Sequence, residues 1–105
     1  MEEGDISAAD LRMDPADLCR EDVYTDRKVG TIRVLTPVDG DGQPDPARSV
    51  SYLGQTQIMT PMGTLPISFE IEADSLGAAV AGYAEAAQTA IEQAVEELKE
   101  MRRQA

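Results

Sequence analysis

Residues 54–73 read GQTQIMTPMGTLPISFEIEA. At its centre, Thr60-Pro61-Met62-Gly63 is a turn signal: proline presets φ at one corner and glycine supplies the left-handed backbone that completes the reversal. The flanks alternate, so the stretch is expected to be a hairpin. Two registers compete. A three-residue loop with a glycine bulge pairs Thr60 with Thr64 and sets Gln55 and Gln57 opposite Phe69 and Ile67. A four-residue loop, Thr60 to Gly63, pairs Met59 with Thr64 and aligns Val50, Tyr52, Gly54, Thr56 and Ile58 with Ala73, Ile71, Phe69, Ile67 and Leu65. A slip of one residue exchanges the two faces, so the burial pattern selects the register with one apolar face, the second. It also puts Phe69 opposite Gly54, where a ring covers a bare glycine.

The opposite face then carries Leu53, Gln55, Gln57, Ser68, Glu70 and Glu72. Most of its polarity is that of an outward hairpin face. Leu53 and Met59, interleaved with Gln55 and Gln57, remain as a candidate partner surface. Single exposed apolar residues are ordinary on any protein and form the competing explanation.

C-terminal to the hairpin, residues 74–105 predict one long amphipathic helix. Asp74 or Ser75 caps it, and Lys99, Arg102 and Arg103 complement its C-terminal dipole. At 100° per residue an apolar stripe runs from Leu76 through Ala79, Val80, Tyr83, Ala87, Ala90, Ile91, Ala94 and Leu98 to Met101. Gly77 and Gly82 each cost about 1 kcal/mol relative to alanine. With Ala78, Ala81 and Ala86 they make the first half small on nearly every side, a surface suited to close approach of a second element. About 29 helical residues span roughly 43 Å, whereas a ten-residue strand covers about 33 Å. The helix should therefore overhang its sheet with Leu98 and Met101 still apolar, and a twofold partner would cover them.

N-terminal to the hairpin, residues 27–38 (RKVGTIRVLTPV) predict a strand through Val29, Ile32, Val34 and Leu35, ended by Pro37. Val23 and Tyr24 extend it or form a short strand of their own. Residues 37–48 are rich in Gly, Pro and Asp and read as a mobile loop. An EF-hand opening at Asp39 fails, because Pro44 falls where glycine is required and Val50 where the bidentate glutamate belongs. Residues 1–22 form an acidic segment, partly helical or disordered. In it Asp14 and Pro15 make an N-cap and N1 pair, with a helical turn reaching towards Arg20. The expected fold is α+β: residues 23–105 form a three-stranded antiparallel β-meander with one long C-terminal amphipathic α-helix packed on one face.

A chain of 105 residues fits one domain. Its 20 acidic and 9 basic residues give a net charge of −11. That charge disfavours polyphosphate and anionic membranes, so neither nucleic acid nor a membrane is an expected partner. Cys19 is the single cysteine and no stretch forms a secretory h-region or membrane span, so a soluble cytoplasmic protein is expected. The chain has no histidine, which removes Ser-His-Asp and Cys-His catalysis and the usual near-neutral general base. Phosphate-loop, dinucleotide and Cys-x-x-Cys motifs are absent, and acidic neighbours Asp17, Glu21 and Asp22 oppose activation of Cys19. Glu70 with Glu72, and Glu96, Glu97 and Glu100, are carboxylate groups on faces expected to be solvated.

No catalytic, cofactor or metal residue is therefore assigned. The expected function is a non-enzymatic protein-interaction or accessory module acting as a homodimer, with Leu53, Gln55, Gln57, Met59, Leu98 and Met101 as candidate partner surface. The alternative is a small-ligand binder or enzyme using Asp, Glu, Tyr or Thr in a sheet–helix pocket; a concavity holding Tyr52, Thr56 or Tyr83 beside a carboxylate would favour it. A third reading, an acidic surface for a basic protein, predicts binding that collapses as salt rises.

Overall fold

The computed structural model describes residues 11–104 of the chain. A 3₁₀ turn, Pro15–Asp17, precedes strands β1 (Cys19–Thr25), β2 (Thr31–Pro37), β3 (Ser51–Thr60) and β4 (Gly63–Ile71), and the chain closes with helix α1 (Leu76–Gln104). The strands form one antiparallel sheet in the order β1-β2-β3-β4. The architecture is the α+β meander with a C-terminal helix, with four strands rather than three.

The added strand is β1. Its sequence, CREDVYT, has no apolar alternation, because it is an edge strand with exposed side chains on both faces. Backbone pairing with β2, from Cys19 opposite Pro37 to Thr25 opposite Thr31, holds it in place. Its charges suit an edge, where they discourage further strand addition. The turn before it is shorter than the sequence suggests. Asp14 caps it, its Oδ1 accepting from Ala16 N at 3.0 Å, but Leu18 is already extended and Cys19 and Arg20 belong to β1.

The central hairpin has the register that buries one apolar face: Tyr52 opposite Ile71, Gly54 opposite Phe69, Ile58 opposite Leu65 and Met59 opposite Thr64. The ladder runs one pair further, to Thr60 and Gly63, so Pro61 and Met62 alone form the tip. Gly63 takes φ 115°, and the Thr60 hydroxyl donates to Gly63 O at 2.7 Å while accepting from Met62 N at 3.1 Å.

Ser75 caps α1, its Oγ accepting from Ala78 N at 3.1 Å. The core joins Ile32, Val34, Tyr52, Ile67, Phe69 and Ile71 of the sheet to Ala79 and Ala87 of the helix, with Ile58, Leu76 and Tyr83 packed against it. The helix is rolled towards β4 relative to its simple apolar stripe. Val80 drops out of the buried face and Ala86 joins it. At Gly82 a Cβ would lie 3.6 Å from Ile71 Cγ2. The element that the small residues admit is thus β4 itself. α1 lies over β4 and β3 and reaches β2 only slightly. Its packed residues end at Ala94, and the last turns overhang, with Leu98 half-buried and Met101 exposed.

Loop 37–48 has defined partners. Asp39 Oδ1 accepts from Asp41 N at 2.9 Å and Gln43 N at 3.0 Å. Arg48 ties the loop to the start of β1, donating to Leu18 O at 3.0 Å and Val38 O at 2.7 Å and pairing with Asp45 at 3.1 Å.

Candidate functional site

One row across the sheet runs Tyr24, Ile32, Gly54, Phe69, all on the face towards α1. A helix about 10 Å wide covers about two strands spaced 4.8 Å apart. Because α1 sits over β3 and β4, the row is covered at Phe69, Gly54 and Ile32 and left open at Tyr24. The result is a groove of about 480 Å³ between α1 and the β1–β2 hairpin. Ile32 and Ala87 are its buried floor, Leu76 and Tyr83 its half-buried wall. Three apolar side chains at its mouth stay in solvent: Tyr24 at 47%, Val29 at 58% and Val80 at 59% exposure.

The β1–β2 turn shapes one wall. Asp26 Oδ1 accepts from Lys28 N at 2.9 Å and Val29 N at 2.8 Å, and these bonds, Val29 first, hold its carboxyl below the usual aspartate range. Arg27 takes φ 64°. The Thr25 hydroxyl accepts from Arg27 N at 2.9 Å and donates to Gly30 O at 2.9 Å. Thr56 of β3 then donates to Val29 O at 2.9 Å and anchors the turn to the sheet. Val29 is therefore presented at the rim by hydrogen bonds rather than packed in a core.

Tyr83 supplies the groove with a half-buried polar group. Its ring meets Phe69 edge-on, with centroids 5.2 Å apart and planes at 67°, and its hydroxyl donates to Gln55 O at 2.9 Å. Burial pushes the phenol's pKa above its ordinary value, with the Asp26 charge adding to the shift. Gly30 is what lets the hydroxyl arrive, since a Cβ there would overlap both Gln55 O and the Tyr83 oxygen. A second, polar recess of about 590 Å³ lies beyond the turn, where β2 stops and β3 continues; Arg27, Lys28, Gln55, Thr56 and Gln57 line it.

The residues singled out from the sequence lie on two separate surfaces. Leu53, Gln55, Gln57 and Met59 occupy alternate β3 positions on the sheet face away from α1; Leu53 and Gln55 are half-buried, Gln57 and Met59 exposed. Leu98 and Met101 are on the last turns of α1, on the other side of the sheet. Of the pocket candidates, Tyr83 lines the groove with Asp26, Thr56 lines the polar recess and Tyr52 is in the core. Tyr24, Val29 and Val80 are not marked by the sequence as a shared surface. Val80 belongs to the apolar stripe and reads as core, and Tyr24 sits among charges without a period. Among the described residues, no group of three or more Cys, Asp or Glu side chains is placed to share a metal ion, and no helix is long and apolar enough to cross a membrane. No protein-family model, curated protein or solved structure matches the chain.

Proposed function

We propose that this protein is a non-enzymatic interaction module that works as a homodimer and binds through the groove between α1 and the β1–β2 hairpin. One observation carries the reading: Tyr24, Val29 and Val80, each about half exposed or more, converge on a single concavity whose floor is the domain's own core. Aromatic and branched apolar side chains around a concave floor are what an interface core needs, because desolvating them supplies most of the binding free energy. The unburied apolar end of α1 adds a second such surface. Sedimentation equilibrium of the full chain at tens of micromolar tests the assembly. A mass of two chains is expected, and a mass of one chain across that range overturns it.

A second reading has its own support. Tyr83 and Asp26 border the same groove, so a small apolar molecule with one hydrogen-bonding group also fits it. That reading predicts saturable binding of a solvent-sensitive apolar dye to a one-chain species, abolished by Val80→Glu.

A further inference from the structure

Strand β3 outruns β2. Their ladder ends where Thr31 meets Gln55, but β3 continues to Thr60 with only β4 beside it. The pairing fixes where the backbone of this segment points. A hairpin with a two-residue loop closes on a hydrogen-bonded pair, here Thr60 with Gly63, and antiparallel pairs then alternate. Met59 with Thr64, Gln57 with Pro66 and Gln55 with Ser68 are therefore the pairs without ladder bonds. Two further observations agree. Pro66 has no N–H to give and suits such a position, and Gln55 O lies against Gly30, on the β2 side. Gln57 and Met59 thus aim their N–H and C=O groups away from β4, into the space beyond the start of β2.

An uncovered strand edge invites pairing, and proteins blunt such edges with charge or proline. The outer edge of β1 carries Arg20, Glu21 and Asp22, and that of β4 has Pro66 and Glu70. The β3 edge from Thr56 to Thr60 has neither. Beside it lies the polar recess of about 590 Å³. The β1–β2 turn closes one end of the recess, because the Thr56 hydroxyl donates to Val29 O and holds the turn against β3. Arg27 and Lys28 are the charged residues lining it. Among the described residues, neither is in an ion pair. Asp26 is the turn's acidic residue. Its carboxylate accepts from Lys28 N and Val29 N and borders the groove on the α1 side rather than the recess. Arg27 and Lys28 against Asp26 leave the turn net positive, in a chain of net charge −11.

We infer that this edge binds the C-terminal end of an extended peptide from a partner protein, running antiparallel to β3 in line with β2, with its terminal carboxylate at Arg27 and Lys28. Each part of the site asks for that chemistry. Gln57 and Met59 need the N–H and C=O groups of another strand. The turn stands in the way of a longer strand, so the added one ends there. In the antiparallel sense the end that meets the turn is the C-terminus, whose carboxylate forms charge-assisted hydrogen bonds with the cations. A parallel strand would bring an ammonium group to them instead. The last residue of the peptide pairs with Gln57 and the third from the end with Met59. The residue between them lies beside Ile58, half-buried on the face towards α1, so an apolar side chain suits it. The site needs neither the apolar groove nor the assembly proposed above.

Hydrogen exchange and nitrogen-15 NMR of the full chain test the inference. In the free protein the Gln57 and Met59 amides should exchange faster than those of Thr56 and Ile58, which bond to β4. The probe is the peptide acetyl-Lys-Thr-Thr-Val-Val-Thr, made as free acid and as C-terminal amide. The free acid should shift the Gln57 and Met59 amide signals saturably and slow their exchange. The amide form should bind about tenfold more weakly, and Arg27→Asn with Lys28→Gln should weaken the free acid by a similar factor. Asparagine tolerates the φ of 64° at position 27, and a circular dichroism melt verifies that the variant is folded. Three results overturn the inference: slow exchange at Gln57 and Met59 without peptide, no response of these amides to the free acid at millimolar concentration, or equal binding of the two peptide forms. Undiminished binding by the folded double variant overturns it as well.

Discussion

The ring of Phe69 lies across Gly54 of the neighbouring strand, inside the space a Cβ on Gly54 would need. Phe69 is buried and also meets Tyr83 of α1 edge-on, so it cannot shift freely without disturbing α1. Gly54→Ala is therefore expected to destabilise the fold by about 1–3 kcal/mol through overpacking. Urea unfolding checks it: the midpoint should fall with the slope unchanged.

Ala79 and Ala81 offer a matched pair on one helix. Ala79 is fully buried and Ala81 exposed. Ala79→Leu should push α1 from β4 and cost about 1–3 kcal/mol. Ala81→Leu should stay within about 0.5 kcal/mol of the parent. Equal effects in thermal melts would contradict the roll of the helix towards β4.

Tyr83→Phe removes the bond to Gln55 O from a half-exposed position where water replaces part of it, so the cost should be near the lower end of about 0.5–1.5 kcal/mol. The phenol's raised pKa fixes the sign of the pH effect. The folded state holds the proton more tightly, so the contribution is whole below the ordinary tyrosine value near 10 and is lost as pH rises through the folded value. Ultraviolet titration of phenolate should show a late-ionising component that is missing from Tyr83→Phe.

Arg48 is the fastening of loop 37–48. Its hydrogen bond to Asp45 holds that carboxyl below the ordinary aspartate range and raises the guanidinium. A depressed carboxyl contributes stability above its unfolded value near 4 and loses it as pH falls through the folded one. Arg48→Gln should lower the melting temperature at neutral pH and flatten this part of the acid loss. It should also speed hydrogen exchange at Val38 N and Asp45 N, which bond to Leu18 O and Pro37 O.

The hairpin and its register were legible because period-two alternation around a proline–glycine turn leaves one solution with a single apolar face. The long helix was legible from its stripe, cap and terminal cations. β1 was legible only as a short strand at Val23 and Tyr24, one of two alternatives, since an edge strand is held by backbone bonds that leave no mark on its side chains. The groove was not legible. Whether Val80 is core or surface depends on how far α1 rolls, and that is set by close packing of Ala79, Gly82 and Ala86 on β4.

Local pattern thus determined which segments are strand and helix and which side of the hairpin is oily. Only the packed molecule decided that a single helix, drawn to one half of a four-stranded sheet, leaves Tyr24 and Val80 facing an empty lane. The reason is that periodicity reports the direction of a side chain about its own axis, while exposure depends on where neighbouring elements come to rest.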